Sequence, residues 1–180
     1  CGESNKTLRK NEYKPKVQTP EYLLVDGYNV IFAWEELSEL AKVSVAGARE
    51  KLQDIMCNYQ GFRKCNLILV FDAYRVEGHE EEIIPYHNIH VVYTKEAETA
   101  DSFIERTAHQ IGRKYQVTVA TSDGLEQIII RGQGCAMMSA RELKEEINRI
   151  NQEIRRDYVE QFPGSKNYLF DYLPEDLQKH

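Results

Sequence analysis

Asp26, Asp72 and Asp123 each close a short apolar run, in YLLVD, NLILVFD and VTVATSD. A fourth acid, Asp101, opens the segment after the run IHVVYT, and Glu105 lies one helical turn later on the same face. Carboxylates gathered within a few ångströms repel one another, and each has its pKa raised unless a cation sits among them. Hard divalent ions such as Mg²⁺ and Mn²⁺ take oxygen ligands and keep several waters, so an open acidic cup suits them better than a His or Cys cage would. A metal held there activates water against a phosphodiester, and a second one would hold the leaving oxygen. That is hydrolysis without a protein nucleophile. Any one of these acids is equally at home as a turn former or helix cap; their repetition at equivalent strand ends is what points to a site.

Strands and helices must alternate for those ends to converge. YLLVD from Tyr22 and NLILVFD read as buried strands, and a helical period with Ala48, Leu52, Ile55 and Tyr59 lies between them, capped by Ser44 and ending near Gly61. A polar loop with Gly78 and Glu80 to Glu82 precedes a third strand, IHVVYT. The stripe Ala100, Ile104, Ala108, Ile111 and Tyr115 then predicts a helix, and VTVATSD a fourth strand. Leu125, Ile128 and Ile129 begin a short helix closed by Gly132 and Gly134, and a last strand covers Cys135 to Met138. Ser139 and Glu142 form a capping-box pattern ahead of a long amphipathic helix with Leu143, Ile147, Ile150, Ile154 and Tyr158. The alternation predicts an α/β fold: one Rossmann-like domain with a mainly parallel central sheet and helices on both faces. Functional groups of such sheets collect beyond the carboxyl ends of the strands.

Residues 1–20 carry Lys6, Arg9, Lys10, Lys14 and Lys16 without an apolar period, and read as a flexible basic arm or a linker. The domain proper is expected over 21–162, with an aromatic-rich tail, 163–180, packing back on it. At 180 residues and 42% hydrophobic content the chain supports one core. No run approaches the ~18 apolar residues of a membrane-spanning helix, so no membrane partner is expected. Cys1, Cys57, Cys65 and Cys135 form no CxxC pair, which points to free thiols in a reducing cytoplasm. The first residue is Cys1 rather than Met, and a fragment fused to an upstream domain is the expectation. A net charge of −6 excludes a protein that grips nucleic acid over its whole surface, so any RNA contact is local or metal-assisted.

The stretches VDGYNVI, LVFDAYRVEG, VVYTKEAETADSFIE, VTVATSDGLEQ, and GQG followed by SARELKEEI resemble the YacP-like NYN domain family of the PIN-like ribonuclease superfamily, over about residues 22–150. The resemblance implies a PIN-like fold and a metal-dependent endoribonuclease acting on single-stranded RNA, in bacteria mRNA, with the ribosome as a partner in some members. Carried over by motif, Asp26, Asp101 and Asp123 would hold Mg²⁺ or Mn²⁺, with Asn29 beside them and Asp72 and Glu105 close by. Where some relatives have a further acid one turn after the last aspartate, this chain has Gln127, read as an orienting amide. Ser122 and Thr121 would contact a metal-bound water or a phosphate. Tyr28 and Tyr74 either stack on unpaired bases or pack in the core. Arg75, with Lys95, Arg106, Arg131 and Arg141, is either a phosphate contact or a solvated charge. His79, His87 and His90 are irregularly spaced and receive no role.

Two other classes compete. A catalytically silent module docking on RNA or the ribosome would show lost acids, which are intact here. A phosphotransferase with an aspartyl nucleophile would want a second acid two residues on, where Asp26 is followed by Gly27 and Tyr28. No phosphate-cradling GxGxxG or GxxxxGKS loop is present.

Overall fold

Successive residues of a strand point to opposite faces, and the first strand supplies both: Leu23 and Val25 enter one apolar cluster, Leu24 another. A strand buried on both faces belongs at the centre of a sheet covered by helices on each side. In the computed structural model, residues 20–73 and 80–161 are described. The order is β1 (Glu21–Asp26), α1 (Gly27–Ala33), α2 (Glu35–Val43), α3 (Val45–Arg63), β2 (Asn66–Phe71), β3 (Glu82–Tyr86), β4 (Ile89–Tyr93), α4 (Ala100–Ile111), β5 (Gln116–Ala120), α5 (Gly124–Gly132), β6 (Ala136–Met138) and α6 (Ala140–Gln161).

The six strands lie in the order β3-β4-β2-β1-β5-β6. All neighbours are parallel except β3 and β4. Helices α1, α2, α3 and α6 cover one face around Ile31, Leu37, Leu52, Met56 and Leu143. Helices α4 and α5 cover the other, through Ala100, Phe103, Ile104, Ala108 and Ile130. This is the expected α/β architecture. The local signals act as anticipated at two helix starts: the Ser44 hydroxyl accepts from the Gly47 amide, and Ser139 accepts from the Glu142 amide.

Two elements differ from expectation. Strand β3 falls partly in the segment read as a polar loop. Its residues Glu82 to Pro85 are all exposed, so they show no inside-outside alternation, and Pro85 argues locally against a strand. An edge strand needs neither feature, because pairing with β4 alone satisfies it. In α5 the residues that marked the helix in sequence face outward: Leu125 and Ile128 are each 70% exposed, while Glu126 and Ile130 are buried. The basic arm, apart from Pro20, and the C-terminal tail lie outside the described residues, as do Tyr74, Arg75 and His79.

At the amino-terminal edge of the sheet, Arg63 pairs with Glu21 and Glu146 and donates to the Tyr59 hydroxyl. It thereby ties α3 to the start of β1 and to α6. Burial, and then Glu146, pushes the Tyr59 hydroxyl well above its ordinary pKa, against the opposing effect of Arg63. At the opposite edge, α1 begins so close to β2 that a methyl group on Gly27 would lie 2.9 Å from the Val70 carbonyl and overlap the fully buried Phe71 ring. Glycine is what lets β1 turn into α1 there with Asp26 at the rim.

Gly27→Ala is therefore expected to destabilise the fold by about 2 kcal/mol or more, since neither backbone nor ring can give way freely. Gly61→Ala is the control: it adds a methyl in open space on a helix and is expected to raise stability by about 0.5 kcal/mol. Denaturant midpoints of the two variants check this, and a Gly27→Ala protein as stable as the parent would sink the close-approach argument.

Candidate metal centre

Parallel strands deliver their last residues to one rim, and the helices that follow begin there. Asp26 is the last residue of β1, the residue before α1, and its side chain makes no capping hydrogen bond to that helix. Asp101 lies in the first turn of α4 and Glu126 in the first turn of α5. One carboxylate oxygen from each of these three residues lies within 4.8 Å of the other two. Asp26 is 6% exposed and Glu126 only 2%, whereas Asp101 is half-buried and gives the cluster its open side.

The helix starts are held by neighbouring side chains. Asp72, just beyond β2, accepts from the amide of Ala100, and Thr99 accepts from that of Ser102, which fixes the turn carrying Asp101. Asp123 caps α5, its Oδ1 accepting from the amides of Leu125 at 2.9 Å and Glu126 at 3.2 Å. The Asp123 amide in turn donates to the Thr121 hydroxyl, and the Gln127 side-chain amide to the Thr121 carbonyl. Asn29 on α1 accepts from the Ser122 amide at 2.7 Å, and the Ser122 hydroxyl accepts from the amide of Ala140. Trp34 donates to the Ala140 carbonyl at 2.8 Å. The loop between β5 and α5 is thus pinned to α1 on one side and to the start of α6 on the other.

Of the residues singled out in sequence, the fold brings Asp26 and Asp101 together and adds Glu126 to them. Asp123 and Asp72 sit beside the cluster, each with its Oδ1 accepting from helix amides, and Asn29, Ser122 and Gln127 are engaged in the loop bonds just described. Glu105 is half-buried one turn along α4, outside the trio. Tyr28 is 5% exposed, with its ring edge-on to Phe71 and its hydroxyl accepting from Arg49, so here it packs in the core rather than presenting a face to a base. Arg106 is paired with Glu98 and Glu81, and Arg141 with Glu145, while Lys95 and Arg131 are exposed. Sequence spacing missed Glu126. Its only local signal is an acid three residues after the cap Asp123, and the apolar pattern Leu125, Ile128, Ile129 suggested that the other side of the helix was buried.

Both carboxylate oxygens of Glu126 are buried without a hydrogen-bond donor among the described residues. Burial raises its pKa to about 9, helped by the charges of Asp26 and Asp101. Burial first, and then Asp101, raises that of Asp26 to about 7. Three hard oxygens, with no Lys or Arg paired to them among the described residues, suit a divalent cation, whose opposite oxygen ligands stand about 4.2 Å apart for Mg²⁺. A bound ion would supply the compensation that the protein leaves out.

The family model for the YacP-like NYN domain matches residues 23–180. The "Uncharacterized protein YacP" of Bacillus subtilis (strain 168) is 44% identical over 137 residues, which are 76% of this chain and 80% of that protein. The crystal structure of a tryptophan-to-leucine mutant of Rae1 (YacP) from Bacillus subtilis superposes with a TM-score of 0.68 at 35% identity, covering 88% of this chain and 96% of that one. Another crystal structure of Rae1 (YacP) from Bacillus subtilis gives 0.66 at 41% identity, covering 83% and 88%.

A carboxyl with a higher pKa folded than unfolded holds its proton more tightly in the native state. Its contribution is intact at acid pH and is lost as pH rises through the folded value. Without divalent ions, stability is expected to fall as pH rises from about 4 through the folded values of about 7 and about 9, by several kcal/mol. Mn²⁺ should restore most of that loss, and Glu126→Gln should flatten the slope. Thermal midpoints across pH, with and without Mn²⁺, test this; a slope unchanged by Glu126→Gln would show that the buried acid is not its source.

Proposed function

Because the chain belongs to the YacP-like NYN domain family, a nuclease-type family, we propose that it is a metal-dependent endoribonuclease hydrolysing single-stranded RNA, with Asp26, Asp101 and Glu126 holding Mg²⁺ or Mn²⁺. The observation that carries this reading is the convergence of the three carboxylates at the rim, with both Glu126 oxygens buried and unsatisfied. A divalent cation bound there supplies an activated water and neutralises charge building on the phosphate.

The chain's own residues do the positioning. Asp26 and Glu126 form the buried floor, and Asp101 the accessible wall nearest an entering phosphodiester. Asp123 and Asp72 act through the starts of α5 and α4, aligning Glu126 and Asp101. Asn29, Ser122 and Gln127 hold the loop between β5 and α5 in register. The starts of α4 and α5 face this rim, with their first amides already taken by Asp72, Thr99 and Asp123. In this reading the substrate is mRNA, the ribosome is the partner that presents it, and the protein works in the cytoplasm; these extensions rest on the family resemblance.

Cleavage of a labelled single-stranded RNA in Mn²⁺, Mg²⁺ or EDTA, with and without ribosomes, tests the reading. Asp26→Asn, Asp101→Asn and Glu126→Gln should each lower the rate by roughly 100-fold or more, since metal charge stabilisation is worth several kcal/mol. Asp123→Asn keeps a capping oxygen and should cost less than about tenfold. Binding of RNA or ribosomes without cutting in any metal would instead make the domain a docking module.

A further inference from the structure

On the face opposite α4 and α5, the helices α3 and α6 leave a groove between them. A cavity of about 240 Å³ lies there, lined by Trp34, Ile55, Asn58, Ile147, Asn151 and Ile154 among others. Ile55, Ile147, Ile150 and Ile154 give it an apolar floor, side-chain amides stand along it, and the paired Lys144 and Glu36 also line it. That combination suits a peptide segment, since apolar side chains can enter the floor while amides both donate to and accept from peptide groups. The apolar stripe of α6 continues to Ile154, which is 50% exposed although it follows core positions Leu143 and Ile150 on the same face.

The chain that leaves α6 has the matching chemistry. Residues 162–180 lie outside the described part, and within them Tyr168-Leu169-Phe170-Asp171-Tyr172-Leu173 is aromatic and aliphatic at every position but one. Before that run stand Pro163 and Gly164, residues that stop a helix and permit a reversal. The distances agree. From the end of α6 back to Ile154 is about 10 Å along the helix and to Ile147 about 21 Å, at 1.5 Å per residue. An extended chain from residue 165 to 170 spans roughly 20 Å. A chain reversed at Pro163 and Gly164 therefore brings Tyr168, Leu169 and Phe170 level with the groove. The family match also runs through this segment, to residue 180.

We propose that the groove between α3 and α6 is the docking site for the chain's own segment 165–173, which folds back over Ile154 and Ile147 as an extended strap. The strap closes the face of α6 that the described residues leave uncovered. Trp34 joins it to the catalytic rim, because the indole that lines the groove also holds the Ala140 carbonyl, and the Ala140 amide holds Ser122.

The test is chymotryptic cleavage after Tyr168, Phe170 and Tyr172 in the full chain, followed by mass spectrometry, with the synthetic peptide 162–180 as reference. A docked strap is cut at least roughly tenfold more slowly than the free peptide, because cleavage requires local opening. Ile154→Glu should abolish that protection and Ile154→Leu should keep it. Thermal midpoints of both variants establish that the domain is folded; should Ile154→Glu not fold, Leu169→Glu on the strap is expected to give the same loss. Cleavage of the wild type at the rate of the free peptide overturns the proposal. So does protection that survives both charged substitutions, which would place the segment elsewhere, or protection that disappears on dilution, which would mean docking between copies.

Discussion

A carboxylate buried without a donor or an opposite charge is among the costliest groups a fold can contain, because water no longer solvates it and nothing replaces the water. Glu126, beside the buried Asp26, has both oxygens in that position, so without a cation it keeps its proton up to a pKa of about 9. The rest of the rim is organised around keeping those groups in place. Hydrogen bonds that would ordinarily satisfy an acid at a helix start are given to Asp72 and Asp123, which hold the helices, whereas both oxygens of Glu126 receive none. The division separates acids that position from acids that stay open to a cation.

The sheet makes that division possible. Its central strand β1 is flanked in parallel by β2 and β5, so three strand ends and the helices beyond them open on one rim. Helices α4 and α5 lie on the same face, and each contributes an acid from its first turn. Gly27 allows α1 to start against Phe71 without displacing Asp26. The opposite edge is fixed by the Arg63 pairs with Glu21 and Glu146. The acidic cluster and the ion-pair clamp thus occupy opposite ends of the strands.

Strand ends, helix stripes and caps are local properties, and the sequence by itself determined them: β1, β2, β4, β5 and α3, α4, α6 follow from apolar runs and periods a few residues long, and with them the α/β class. The placement of Asp26 and Asp101 at one rim follows from that class alone, since parallel connections bring strand ends and helix starts to the same side. Tertiary structure decided what local pattern could not. Strand β3 exists because β4 offers it an unpaired edge, a fact about a neighbour and not about EIIPY. The orientation of α5 was also decided globally. Its own residues favour burying Leu125 and Ile128, but the Asp123 cap and the Ile130 contact with the α4 face turn Glu126 inward, toward Asp26 and Asp101. Which acid of SDGLEQ caps the helix and which joins the cluster depends on that rotation, and it is set by packing between elements far apart in the chain.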